Sequence, residues 1–307
     1  MKRALPALVA SCIALSTGAF AVESPKAAAH PLLELARERE RTRDKTPRGA
    51  PGVAELREAE HQLQQARVPR DADCAGSVGA TRFAALHIQL GQLRSGEGDF
   101  AGAAVAFRSA QACRPHDAGI LAALADVLFD ARDYAGARAA IDESLAIDAR
   151  DISANRLAGN LDYVEQRWAD AIARFRYIAA SDPDRVQAGY GQLMYWLAQR
   201  RAGVARPEFV VRTPGEGWPQ PLMLYMRGEY TEAELIVPIN DGDSDSNAQP
   251  NTSTDERLCE ALFYVGEEYW ARGQPEMARD YFAALVNIRV LFFVEHGIAL
   301  AEIARLR

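Results

Sequence analysis

Apolar positions along this chain recur with the 3.6-residue period of amphipathic helices, and the helical stretches come in pairs joined by short polar turns. The middle of the chain shows it best. Gly98-Asp99-Phe100-Ala101-Gly102-Ala103-Ala104-Val105-Ala106-Phe107 is answered 34 residues later by Arg132-Asp133-Tyr134-Ala135-Gly136-Ala137-Arg138-Ala139-Ala140-Ile141, and again by Gln166-Arg167-Trp168-Ala169-Asp170-Ala171-Ile172-Ala173-Arg174-Phe175. Phe100, Tyr134 and Trp168 share one register position, Ala103, Ala137 and Ala171 a second, and Phe107, Ile141 and Phe175 a third. Upstream, Leu90-Gly91, Leu124-Ala125 and Leu157-Ala158 fall 34 or 33 residues apart and put a large-small pair on each first helix. The units end alike, at Arg114-Pro115, Asp148-Ala149 and Asp182-Pro183. Small residues at a fixed position let two helices cross closely, and the large residue four places on fills the hairpin.

This pattern resembles the tetratricopeptide repeat (TPR), with full repeats at about 84–117, 118–151 and 152–185 and a partial fourth to residue 199. The resemblance implies an all-α fold, a helix-turn-helix solenoid coiled as a right-handed superhelix. The register fails at Pro207, and residues 206–221 carry four prolines and two glycines, which stop helices. A short helix is expected over Pro221 to Ile236, followed by a polar, acidic stretch from Asn240 to Asp255. A last repeat then returns, with Cys259 to Arg272 as its first helix, Gly273-Gln274-Pro275 as the turn, and Met277 to Ile288 as its second. Phe293 to Leu306 reads as a closing helix whose polar residues cover the end of the stack. Ahead of the array, Arg37 to Lys45 is a mixed charge run, read as a solvated helix or tether, and Val53 to Val68 as an amphipathic helix docking on the first repeat. The expected organisation is therefore 1–21, 22–80, 84–199, 200–257 and 258–307.

The first of these segments has a different character. Lys2-Arg3, an apolar stretch from Ala4 to about Ala14 and the exit Ala19-Phe20-Ala21 form a secretory signal with cleavage after Ala21, which makes the product periplasmic or secreted. Val9-Ala10-Ser11-Cys12 offers the competing reading of a lipoprotein anchored through Cys12, with a very short apolar region before the cysteine. No later run is long and apolar enough to suggest a membrane span. Composition supports helix: 49% of residues are apolar, alanine is abundant, and only 8% are aromatic. The net charge of -7, falling to about -9 without Lys2 and Arg3, argues against a protein built to grip nucleic-acid phosphates.

From Glu216-Gly217-Trp218-Pro219 onward the chain is similar to the NlpI family of bacterial envelope TPR proteins. The residues carrying this are Trp218-Pro219, Pro221-Leu222, Gly228, Leu235-Ile236, Glu260, Phe263-Tyr264, Gly266-Glu267, Gly273, Ala278 and Phe293-Val294-Glu295. The similarity covers about the last 90 residues, and it implies an adaptor that scaffolds envelope proteases and cell-wall endopeptidases without catalysing anything itself. The chain departs from that family in its weak lipobox and its extra N-terminal segment.

A superhelix of this kind presents its first helices along a concave groove. Groove positions by register are Asp126 and Phe129, then Arg156, Asn160 and Tyr163, then Tyr190 and Met194, a set able to stack on and hydrogen-bond an extended peptide. Each aromatic also reads as inter-repeat packing. The Lys-rich carboxylate clamp of chaperone-tail binders is absent. Cys74 and Cys113 fall at the two ends that an antiparallel hairpin brings together, which in an oxidising compartment predicts a disulfide, with Cys259 left unpaired on a helix face. Asp241-Gly242-Asp243-Ser244-Asp245-Ser246-Asn247 mimics a calcium loop but has Ser246 and Thr252 where an EF-hand needs Gly and Glu, so it reads as solvated linker. His30, His61, His87, His116 and His296 show no metal-binding spacing, and no phosphate loop, nucleophile elbow or Cys–His pairing occurs. The sequence thus points to an exported, non-enzymatic scaffold without cofactor, binding envelope proteins or peptides in its groove. A structural component that self-associates as a homodimer is the alternative.

Overall fold

The computed structural model describes residues 30–42, 53–65, 79–210, 217–241, 253–290 and 293–306. Among the described residues there are fourteen helices and no strand. The array consists of three antiparallel hairpins: α3 (Ala80–Gly96) with α4 (Phe100–Cys113), α5 (Ala118–Asp130) with α6 (Tyr134–Ile147), and α7 (Ile152–Val164) with α8 (Trp168–Ser181). Each hairpin stacks on the next through α4 on α5 and α6 on α7, and α9 (Arg185–Arg201) packs on α8 as an unpaired first helix. The all-α TPR-type solenoid expected from the periodicity is what the chain forms.

Local chemistry explains the helix starts. Asp99 accepts from the Gly102 N–H at 2.9 Å and Asp133 from the Gly136 N–H at 3.0 Å, so the same N-cap opens two successive second helices. Asp117, Asp151 and Asp184 cap the first helices α5, α7 and α9 in the same way. The turns between paired helices hold Gly98, Arg132 and Gln166 at φ of 81°, 61° and 59°, the left-handed conformation recurring at the repeat spacing.

The crossings set the register of the hairpins. A Cβ on Gly91 would lie 2.8 Å from the Phe107 ring, and one on Gly159 would lie 2.9 Å from the Phe175 ring. Gly159, and not Ala158, is therefore the counterpart of Gly91. The crossing position of the third repeat is Gly159, one residue beyond the small residue read from the sequence, and the small position holds the period of 34 at 91, 125 and 159 although Ala158 stands where the other repeats have leucine. Gly266 meets Phe282 at 2.8 Å in the same manner, which makes α12 (Thr254–Ala271) and α13 (Pro275–Ile288) a hairpin of the same design.

Between the array and that last hairpin the chain forms two helices where one was expected: α10 (Gln220–Met226) and α11 (Glu232–Asn240). Gly228, at φ 75°, ends the first, and a capping box between Thr231 and Glu234 opens the second. Helix α12 starts five residues before Cys259, fixed by a second capping box from Ser253 to Glu256. The acidic stretch at 242–252 lies outside the described residues, as do Ala21, Cys12 and Cys74.

Three further helices pack onto the array and the last hairpin. Helix α1 (Pro31–Thr42) contains most of the charge run, yet it buries Leu32, Leu33 and Ala36 against α11, α12 and α13, so it is a docked helix and not a free tether. Arg39 lies 3.6 Å from Asp255 on this contact. Helix α2 (Val53–Gln65) docks on α3, with Glu60 3.0 Å from Arg94. Helix α14 (Val294–Arg305) packs on α12 and α13 and also reaches back across α5 and α7. One continuous apolar core results, running from Leu32 through Phe129, Tyr163 and Leu193 to Phe263, Phe282 and Ile298. A small satellite core, Ala80, Phe83, Ala84, Ala110, Cys113 and Ile120, holds the first repeat.

Candidate functional site

The first helices α5, α7 and α9 form one wall, as the register requires, and the chain's own α12 and α14 stand opposite them. Between the two walls lies a cavity of about 420 Å3. Asp126 and Asp130 of α5, Arg156 and Asn160 of α7, and Tyr190 and Met194 of α9 line one side, while Glu260 and Tyr264 of α12 and Phe293, Val294 and Glu295 at the start of α14 line the other.

Five of the seven groove residues named from the sequence, Asp126, Arg156, Asn160, Tyr190 and Met194, are thus brought together at one cavity. The other two are placed elsewhere. Phe129 is buried, and a Cβ on Gly297 of α14 would touch its ring at 3.2 Å. Tyr163 is fully buried: its hydroxyl donates to Glu267 Oε2 at 2.6 Å and its ring meets Trp168 edge-on at 5.2 Å. These aromatics join the array to the C-terminal helices of the same chain.

The contacts beside the cavity are specific. Tyr190 Oη donates to Glu260 at 2.8 Å, and Trp218 Nε1 donates to the same carboxylate at 2.6 Å. Arg201 of α9 is enclosed by two carboxylates, Glu267 Oε2 at 2.6 Å and Glu302 Oε2 at 3.2 Å, and stacks over Tyr163, Trp168 and Trp270. Arg305 bonds both Glu302 and the Val164 carbonyl, so α14 is latched onto the end of α7.

Electrostatics inside the cavity are one-sided. Arg156, whose Nη1 donates to Gln187 at 2.6 Å, is its one guanidinium among the described lining residues, against four carboxyls. Asp126 is exposed to water-sized contact yet enclosed by protein, and burial raises its pKa with partial relief from Arg156. Burial first, and Asp126 second, push Asp130 to about 8. Burial holds Glu295 at about 7 and, with the Glu295 charge, lifts Glu260 well above the usual carboxylate range. Tyr264 Oη is fully buried at the wall beside Glu295, and burial with the Glu295 and Glu260 charges holds its pKa well above the usual tyrosine value.

Sequence reasoning missed Asp130, Tyr264, Glu295, Arg201, Glu267 and Glu302 as site residues. Asp126 and Asp130 carried a signal: like charges four apart on an otherwise apolar helix destabilise it unless the site uses them. Glu260, Tyr264, Glu267 and Glu295 were visible only as points of family resemblance. Among the described residues no group of carboxylates, His or Cys converges as a metal site, and no helix is long and apolar enough to cross a membrane. Cys259 is a buried free thiol on α12. Cys113 is buried at the end of α4.

Residues 94–161, from the end of α3 through most of α7, match the family model of the tetratricopeptide repeat.

Proposed function

We propose that this chain is an exported, non-enzymatic scaffold for envelope proteins, and that a partner segment enters where the concave face is still open, at the cavity between α5, α7, α9 and α12, α14. The repeat match supports a role in protein–protein interaction. The observation carrying the site is the convergence of Asp126, Arg156, Asn160, Tyr190 and Met194 on one cavity, in a concave face otherwise covered by the chain's own helices. Export rests on the Lys2-Arg3 to Ala21 pattern, and the envelope setting on the similarity of the C-terminal region to NlpI-type adaptors. In that setting Cys74 and Cys113 form a disulfide stapling the N-terminal segment to the first repeat, which the intact mass before and after reduction reports.

The test is a pull-down from envelope extract with wild type and an Asp126→Ala, Arg156→Ala, Met194→Ala triple variant. This choice leaves the Tyr163–Glu267 and Tyr190–Glu260 bonds intact, so the closure of the C-terminal helices is preserved. Loss of the partners with unchanged helical content is the expected result. A variant retaining every partner removes the cavity from the binding surface.

A further inference from the structure

The cavity has a chemistry more selective than a general peptide groove. Two like-charged pairs face it from opposite walls: Asp126 and Asp130, one turn apart on α5, and Glu260 and Glu295, on α12 and α14. Arg156 is the single cation among the described lining residues, and its field reaches both Asp126 and Glu295. Glu260 is held by Tyr190 and Trp218, so its position is fixed. Asp126 forms no hydrogen bond or ion pair among the described residues and keeps an exposed surface inside the enclosure. Tyr264 adds a fully buried hydroxyl directed at Glu295, and the hydroxyl oxygen can still accept from an entering N–H.

Burial strips these carboxyls of hydration and they repel one another, so they favour the protonated form until a counter-charge enters. A bare divalent ion does not answer the need, since the described carboxylates do not converge on one point. What fits is a cation with length: a positive head, several N–H donors and an aliphatic stem that lies along Met194 and Val294. A volume of about 420 Å3 is within the range of ordinary small-ligand sites.

We infer that this cavity is a binding site for a primary alkylammonium group, seated between the Asp126–Asp130 and Glu260–Glu295 carboxyl pairs, with Tyr264 Oη as a further polar contact. The group comes either from a free aliphatic polyamine or from a lysine side chain of a docked protein. The second source rests on the scaffold reading above; the first does not.

Calorimetry on the full mature chain separates the sources. One arm uses spermidine, and the other a short acetylated and amidated peptide with a single central lysine, against the same peptide with norleucine. Spermidine binding alone assigns a free amine; binding of the lysine peptide but not the norleucine peptide assigns a protein side chain. Neither ligand binding at about 1 mM overturns the proposal. Asp126→Asn, nearly isosteric and without hydrogen bonds to lose, should weaken binding by at least about tenfold, the loss of one close charge contact. Asp142→Asn, exposed on α6, should bind as wild type does. Equal weakening by both substitutions would reduce the effect to general surface charge and overturn the site.

A second readout needs no variant. Carbodiimide labelling of wild type, followed by mass spectrometry, should show Asp126 shielded when the bound ligand is present, and unchanged labelling there rejects the site. Failure of the triple variant to lose partners, with spermidine binding to wild type intact, would remove the cavity from the partner-binding surface and leave the free-amine source standing.

Discussion

Asp130 shows how far a fold can move one carboxyl. Its pKa of about 8 follows from burial and from Asp126 one turn away. The folded chain therefore holds this proton more tightly than the unfolded chain. The resulting stability is complete below about pH 4 and is lost as the pH rises through about 8. Asp130→Asn removes the titration. Its Tm should exceed that of wild type by ~5 °C at about pH 9 and match it at about pH 4, as followed by circular dichroism. An equal shift at both pH values would assign the effect to packing instead of charge. Residues of this kind were half legible in the sequence. The spacing of Asp126 and Asp130 puts both on one face of α5, but only the opposite wall, built from Glu260 and Glu295, turns that face into an enclosure. No local pattern announces which distant helix will supply that wall.

At the scale of elements, the repeat is carried by three positions: the capping aspartate, the small residue at the crossing and the left-handed residue in the turn. The turn position is glycine at 98 and 273 but glutamine at 166, where the Gln166 N–H still donates to the Tyr163 carbonyl at 3.0 Å. A side chain at φ 59° is strained where glycine is not. Gln166→Gly should therefore stabilise the third hairpin by roughly 0.5–1 kcal/mol in urea unfolding; destabilisation would mean that the unfolded-chain entropy of glycine dominates. Helix identities and turns were legible because they depend on neighbours within one period. The exceptions have local causes of their own. The α10–α11 break depends on Gly228, one glycine between charged neighbours, and the docking of α1 depends on Leu32, Leu33 and Ala36 beside a strongly charged segment.

For the whole molecule, the decisive contacts are long-range. Arg201 bridges Glu267 and Glu302, so a single guanidinium ties α9 to both α12 and α14, at 4% side-chain exposure. Arg201→Met leaves Glu267 buried without a cationic partner and Glu302 with Arg305 alone, a loss of ~3–5 kcal/mol. Because repeats communicate mainly with neighbours, the damage should stay local: hydrogen exchange should show α14 deprotected while α3 to α6 keep their protection. Deprotection spread evenly over all helices would show instead that the chain unfolds as one unit. A 34-residue period could not reveal this closure, because it specifies which helices pair in sequence and says nothing about where the last helix returns.

The docking of α1 on α11, α12 and α13 also has a consequence in time. Helix α1 is synthesised before the surface that receives Leu32, Leu33 and Ala36, with the whole repeat array between them. Until those helices are made this amphipathic segment has no native partner, although the hairpins between can already pair locally. Completion of this contact therefore waits for α11 to α13, and until they are made α1 remains open to whatever machinery receives an unfinished polypeptide.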